Sequence, residues 1–164
     1  MRLISLVVVL AAVVALVGPA RVRSAGGKWY VLVVVDDFSR YSGVFFLEDK
    51  SETFGFVRDL ILRLKNKRHG DAIRAIRSDN GTEFKNSHFD AFCSDLGLNH
   101  QYSSPYVACQ NGVVERKNRT LCEIARMMLD EHRTPRRFWA EVVNTACYVS
   151  NRIFSSCFQE EDLL

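Results

Sequence analysis

The segment WYVLVVVDDFSRYSGVFFL, residues 29–47, carries the strongest structural signal in the 164-residue chain. Residues 29–35 form an unbroken apolar run dominated by valine that stops at Asp36-Asp37. Such a run, with branched side chains that suit an extended backbone, fits a strand covered on both faces. Residues 39–42 have turn composition and residues 44–47 read as a second strand, so the segment is a β-hairpin.

Downstream the apolar spacing changes from strand to helix. Ser51 is placed to cap a helix on which Phe54, Val57, Ile61 and Leu64 share one face, and residues 65–70 end it with positive charge and a glycine. Residues 72–76 make a short strand leading into Arg77-Ser78-Asp79-Asn80-Gly81. A helix is expected over 87–96, with Phe89, Phe92 and Leu96 inward, then a strand over 98–102 and a loop over 103–112. A long helix over 113–129 turns Leu121, Ile124, Ala125 and Met128 inward. The last helix starts at Thr134-Pro135, a cap followed by proline, with Phe138, Val142, Ala146, Val149 and Ile153 inward. A hairpin followed by alternating strands and helices specifies an α/β fold, a mixed sheet covered by helices.

Composition agrees with one domain: 48% hydrophobic and 25% charged residues describe a globular chain with enough apolar mass for a core. The net charge of +3 says little about partners, but Arg116, Lys117, Arg119, Arg126, Arg133, Arg136 and Arg137 crowd one stretch. The five cysteines (93, 109, 122, 147 and 157) are odd in number, and none has the spacing of a zinc pair. Scattered His69, His88, His100 and His132 add no motif, so no zinc site is expected and a reduced compartment is.

Residues 1–20 admit two readings. Met1-Arg2 followed by apolar residues 3–17 matches the charged start and apolar stretch of a secretory signal, and is shorter than the roughly 20 residues of a membrane span. The same valine richness suits a strand buried on both faces. The chain therefore divides into an apolar leader or first strand over 1–20, a folded domain over 21–154 and a divergent acidic tail over 155–164.

Two acidic residues sit where chemistry is expected. Asp79 lies just past a strand end, where side chains of an α/β sheet face the ligand crevice. Taken singly, Asp-Asn-Gly is an ordinary turn. Glu115 falls in the first turn of a helix, where the dipole alone favours a carboxylate. Together they are 36 positions apart (115 − 79), each inside a distinctive string: RSDNGTEF over 77–84 and QNGVVERKNRT over 110–120.

With WYVLVVVDDFSRYS over 29–42, these strings resemble the integrase core of copia-type retrotransposons, a likeness that covers about residues 17–154. The resemblance implies a ribonuclease-H-like fold with a five-stranded mixed sheet flanked by helices. It also implies two Mg2+ or Mn2+ ions held by Asp, Asp and Glu, hard oxygen ligands that suit hard cations in displacement at phosphorus. Asp79 and Glu115 match the second Asp and the Glu, as catalytic and metal-binding residues. The first Asp of the family stands three positions before a Gly-Pro pair; counting back from Gly18-Pro19 gives Ala15, which has no ligand atom. Asp36 and Asp37 are read as a turn pair and not as substitutes.

The resemblance further implies DNA as partner, DNA integration as process, multimers as the acting form and the nucleus as location. It implies no small-molecule substrate, and involves a membrane or the secretory pathway only if the leader is a true signal or anchor. Lys85, Arg116, Lys117, Asn118 and Arg119 are the expected DNA-binding residues, close to Asp79 or on the side of Glu115. Trp29, Trp139 and Phe138 are expected in the core. Gly43 replaces the family's usual tryptophan, and Val107-Ala108-Cys109 its Thr-Pro-Gln. Loss of the first carboxylate makes an impaired enzyme the expectation, with a non-catalytic nucleic-acid-binding remnant as the alternative.

Overall fold

In the computed structural model, residues 7–13, 22–37, 39–67, 73, 75–79, 81–102 and 112–161 are described, those at 7–13 and 154–161 by their backbone alone. The strands are β1 (Val7–Val13), β2 (Tyr30–Asp36), β3 (Ser42–Leu47), β4 (Ala75–Ser78) and β5 (Asn99–Tyr102). The helices are α1 (Thr53–Lys67), α2 (Ser87–Asp95), α3 (Gly112–Glu131) and α4 (Trp139–Glu161). The strands form one five-stranded sheet in the order β3-β2-β1-β4-β5. β1 pairs antiparallel with β2 and parallel with β4, which pairs parallel with β5. The mixed sheet flanked by helices is therefore present, and part of the apolar leader forms its central strand. Among the described residues, no helix is long and apolar enough to cross a membrane.

Alternation along β2 assigns the two faces. Leu32 and Val34 point to a cluster with Val57 and Ile61 of α1, Ile76 of β4 and Phe89 of α2. Val31, Val33 and Val35 point the other way, to Val114, Leu121 and Ala125 of α3 and Trp139, Val143 and Ala146 of α4. Two packed layers thus cover a strand that is apolar throughout residues 31–35. The first layer is knit by aromatic rings: Phe54 lies 6.0 Å from Phe89 and 5.8 Å from Phe92, and Phe84 lies 5.8 Å from Phe89. Each fully buried side chain of this size contributes roughly 1.5–3 kcal/mol by leaving water.

Several local expectations move by a residue or more. The cap before α1 is Asp49, whose Oδ1 accepts from the Ser51 amide at 2.8 Å, ahead of a short 3-10 turn at Lys50–Glu52. Asn86 caps α2, its Oδ1 accepting from the Phe89 amide at 2.9 Å. A 3-10 turn at Arg136–Phe138 precedes α4, so the buried stripe of that helix is Trp139, Ala140, Val143, Ala146, Cys147 and Ser150. Val149 and Ile153, expected inward, are 37% and 59% exposed because the buried stripe runs through Val143, Cys147 and Ser150, one residue on from the expected one. Trp29 is likewise 43% exposed, while Trp139 is buried and donates its indole N–H to the Val22 carbonyl at 3.0 Å.

β3 is an edge strand, and α4 closes one rung of that edge. The Asn151 side chain accepts from the Ser42 amide at 3.0 Å and donates to the Ser42 carbonyl at 2.7 Å. Its Oδ1 also takes the Ser42 hydroxyl at 2.9 Å.

Candidate functional site

Asp79 leaves the sheet at the C-terminal end of β4. Val9 of β1 pairs with both Val35 and Arg77, so Arg77 shares the α3/α4 face with Val35. Side chains alternate along a strand, and one further step of two residues gives Asp79 that same face. Glu115 follows Val114, which is fully buried in the α3/α4 layer, and is itself exposed in the first turn of α3. Both carboxylates thus belong to one side of the sheet.

The surroundings of Asp79 are specific. Its Oδ1 accepts from the Gly81 amide at 3.0 Å, closing a tight turn. Glu83 folds over the same glycine, so that a Cβ at Gly81 would fall 2.7 Å from its carboxyl. Partial burial pushes the Asp79 carboxyl above its usual range; the Gly81 bond opposes this, Glu83 reinforces it and Lys50 opposes it weakly. The balance leaves a desolvated carboxylate short of positive charge. Glu83 and Lys50 were not singled out by the sequence, although Glu83 lies inside the string that contains Asp79.

Behind Asp79 lies a line of polar groups that the scattered histidines did not reveal. Ser78 Oγ stands 3.0 Å from the Asp79 carbonyl oxygen and 2.9 Å from His100 Nε2. His100 Nδ1 stands 3.3 Å from Asp90 Oδ1, which also accepts from Tyr102 Oη at 2.8 Å. Burial lowers the His100 pKa, partly offset by Asp90. The signal was parity: Ile76 and Ser78 pair with His100 and Tyr102, which puts all four on the α1/α2 face.

Of the expected DNA-binding residues, Lys85, Arg116 and Arg119 are exposed and Asn118 is half-buried. The Arg116 guanidinium folds back toward Gly112, where a Cβ would approach its Nη1 to 3.2 Å. Asn118 Oδ1 accepts from Cys122 Sγ at 3.6 Å. Lys117 corrects the sequence reading. It is 9% exposed, and its ammonium donates to Ser150 of α4 at 2.7 Å, so it faces the protein and not a phosphate. Val114, Lys117 and Leu121 recur at spacings of three and four, which puts Lys117 on the buried stripe. Desolvation lowers its pKa.

Asp36 and Asp37 serve the hairpin turn. Asp36 Oδ2 accepts from the Ser39 amide at 3.2 Å, and Asp37 Oδ1 accepts from Arg40 at 2.6 Å. β2 runs antiparallel to β1 while β4 runs parallel to it, so this turn and Asp79 lie toward opposite ends of the strands. Ala15, Gly18-Pro19 and Val107-Ala108-Cys109 lie outside the described residues. The β1 register adds a second position: Val9 pairs with Arg77, and two residues on Ala11 stands level with Asp79. Among the described residues, no three His, Cys, Asp or Glu side chains group as metal ligands.

Known proteins share this pattern. The family described as integrase core domain matches residues 17–108. The retrovirus-related Pol polyprotein from transposon TNT 1-94 of Nicotiana tabacum is 38% identical over 135 residues, 82% of this chain and 10% of that polyprotein. The corresponding polyprotein from transposon RE2 of Arabidopsis thaliana is 31% identical over 127 residues, 76% of this chain and 8% of its own length. The chain thus spans about a tenth of these relatives. A simian T-cell lymphotropic virus intasome, solved in complex with PP2A regulatory subunit B56 gamma, contains a chain of the same fold with TM-score 0.62. That match has 19% identity and covers 90% of this chain and 49% of the other. With its mixed sheet and these relatives, the chain belongs to the integrase core domain family of retrotransposon and retroviral Pol polyproteins.

Proposed function

We propose that the chain is a copia-type integrase core that binds DNA and divalent cations but is impaired in strand transfer. The observation that carries this is the shared face of Asp79 and Glu115, with Asp79 desolvated and short of positive charge. A hard cation fits that deficit, since carboxylate oxygens are its preferred ligands. Asp79 and Glu115 would hold Mg2+ or Mn2+, which in such sites activates a hydroxyl or water and stabilises the leaving oxygen at phosphorus. Lys85, Arg116 and Arg119 would meet DNA phosphates, with Asn118 beside them. Assembly on DNA into multimers is part of this proposal.

The impairment rests on two alanines. Counting from Gly18-Pro19 selects Ala15, and the β1 register selects Ala11; neither supplies a carboxylate. These alanines also favour the second reading, a DNA-binding remnant without turnover. The test is a Mn2+ titration of DNA nicking and strand transfer by the chain, by Ala11→Asp and by Ala15→Asp, each with and without Asp79→Asn. Gain of metal-dependent turnover in one aspartate variant, lost again with Asp79→Asn, supports an enzyme with a missing ligand. Salt-sensitive DNA binding without turnover in every variant supports the remnant and overturns the enzyme.

A further inference from the structure

The line Asp90–His100–Ser78 ends on the main chain of Asp79 and has a use of its own. Its order matches a carboxylate–imidazole–hydroxyl relay, but Ser78 is fully buried, so no substrate reaches its hydroxyl and nucleophilic catalysis is excluded. The His100 side chain is 6% exposed and fixed between rings, with Phe89 at 4.7 Å and Tyr102 at 4.2 Å. A carboxylate only accepts, so Nδ1–H of His100 donates to Asp90, and in a neutral imidazole Nε2 is then an acceptor. The Ser78 hydroxyl then shares its single proton between two acceptors, His100 Nε2 at 2.9 Å and the Asp79 carbonyl at 3.0 Å, so the ring holds the hydroxyl in place against that carbonyl.

We infer that His100, acting through the Ser78 hydroxyl, is a positioning residue that fixes the main-chain carbonyl of Asp79 and so aims the Asp79 carboxyl at its cation. This rests on the metal reading of Asp79 given above. Outer-shell groups that orient a ligand typically change metal affinity roughly ten- to a hundredfold when removed.

The test uses the full chain and Mn2+ alone, with binding read from paramagnetic broadening in NMR spectra and order from the backbone amide of Asp79. Ser78→Ala and His100→Phe, the latter keeping a ring against Phe89 and Tyr102, should each weaken Mn2+ binding roughly ten- to a hundredfold. The Asp79 order parameter should fall below the roughly 0.85 of rigid backbone. Ser78→Thr and His100→Gln should restore both, and the double variant Ser78→Ala/His100→Phe should be no worse than either single one. A lower melting temperature with Mn2+ affinity and Asp79 order unchanged would overturn the inference, since it shows a merely structural role. Asp79→Asn separates the two claims: if it leaves Mn2+ affinity unchanged, the metal reading fails. The Asp79 order parameter still decides the positioning role, whether or not the wild-type chain takes up Mn2+.

Discussion

Asp79 leaves the sheet half-buried, tied to the Gly81 amide and backed by a buried serine, whereas Glu115 stands exposed one residue past a buried valine at the start of a helix. The first carboxylate is set by a network of side chains; the second is set by the docking of α3 as a whole. Under the proposed function, such a site would have one rigid ligand and one that a cation draws in. Perturbations near Asp79 should therefore travel into fold stability, while those at Glu115 should stay local.

The largest effect that sharpens this contrast is expected at Phe89, which is fully buried and packs on Phe54, Phe84 and His100. Phe89→Ala should cost about 3–5 kcal/mol in urea unfolding. Glu115→Ala should stay within about 0.5 kcal/mol. A comparable loss at Glu115 would erase the distinction. Next is metal binding: Asp79→Asn should lower Mn2+ affinity at least about a hundredfold, beyond the usual outer-shell range. Glu115→Gln should do so less, because an adjustable ligand contributes less to the first contact.

DNA binding gives a smaller effect. Arg119→Ala should reduce the slope of log affinity against log salt by about one phosphate contact, while Lys117→Met leaves the slope unchanged, because Lys117 is turned to Ser150. An altered slope in Lys117→Met would show that the ammonium reaches solvent when DNA binds. The smallest effect is in pH dependence. The raised Asp79 pKa means that the folded chain holds this proton more tightly than the unfolded chain does. Ionisation above the unfolded value of about 3.9 therefore opposes folding, and stability falls as pH rises through the folded pKa. Asp79→Asn should raise the melting temperature at pH 7, and the gain should vanish below about pH 4.

The hairpin and the four helices were legible because each rests on a local pattern, an apolar run or a three-four spacing, and the strings around Asp79 and Glu115 because each is a contiguous motif. What escaped depends on pairing between distant segments. Lys117 was read as a surface cation because charge counts by type, yet its place between Val114 and Leu121 buries it. Ser78 and His100 lie 22 positions apart and meet only because β4 and β5 pair in register. The valine-rich leader matched two physical requirements, export and strand burial, and only the sheet contacts of Val7–Val13 distinguish its placement here.

The amide of Asn151 has a reach beyond its two short bonds to Ser42. A border strand offers a template on which neighbouring molecules can zip together, and in a crowded cell that is how insoluble fibres begin. By occupying one rung with a side chain carried on a helix, the protein removes the first step of such growth without lengthening its sheet. Protection of that border is thus entrusted to the middle of α4, and a change at Asn151 should be felt as self-association before it is felt in chemistry.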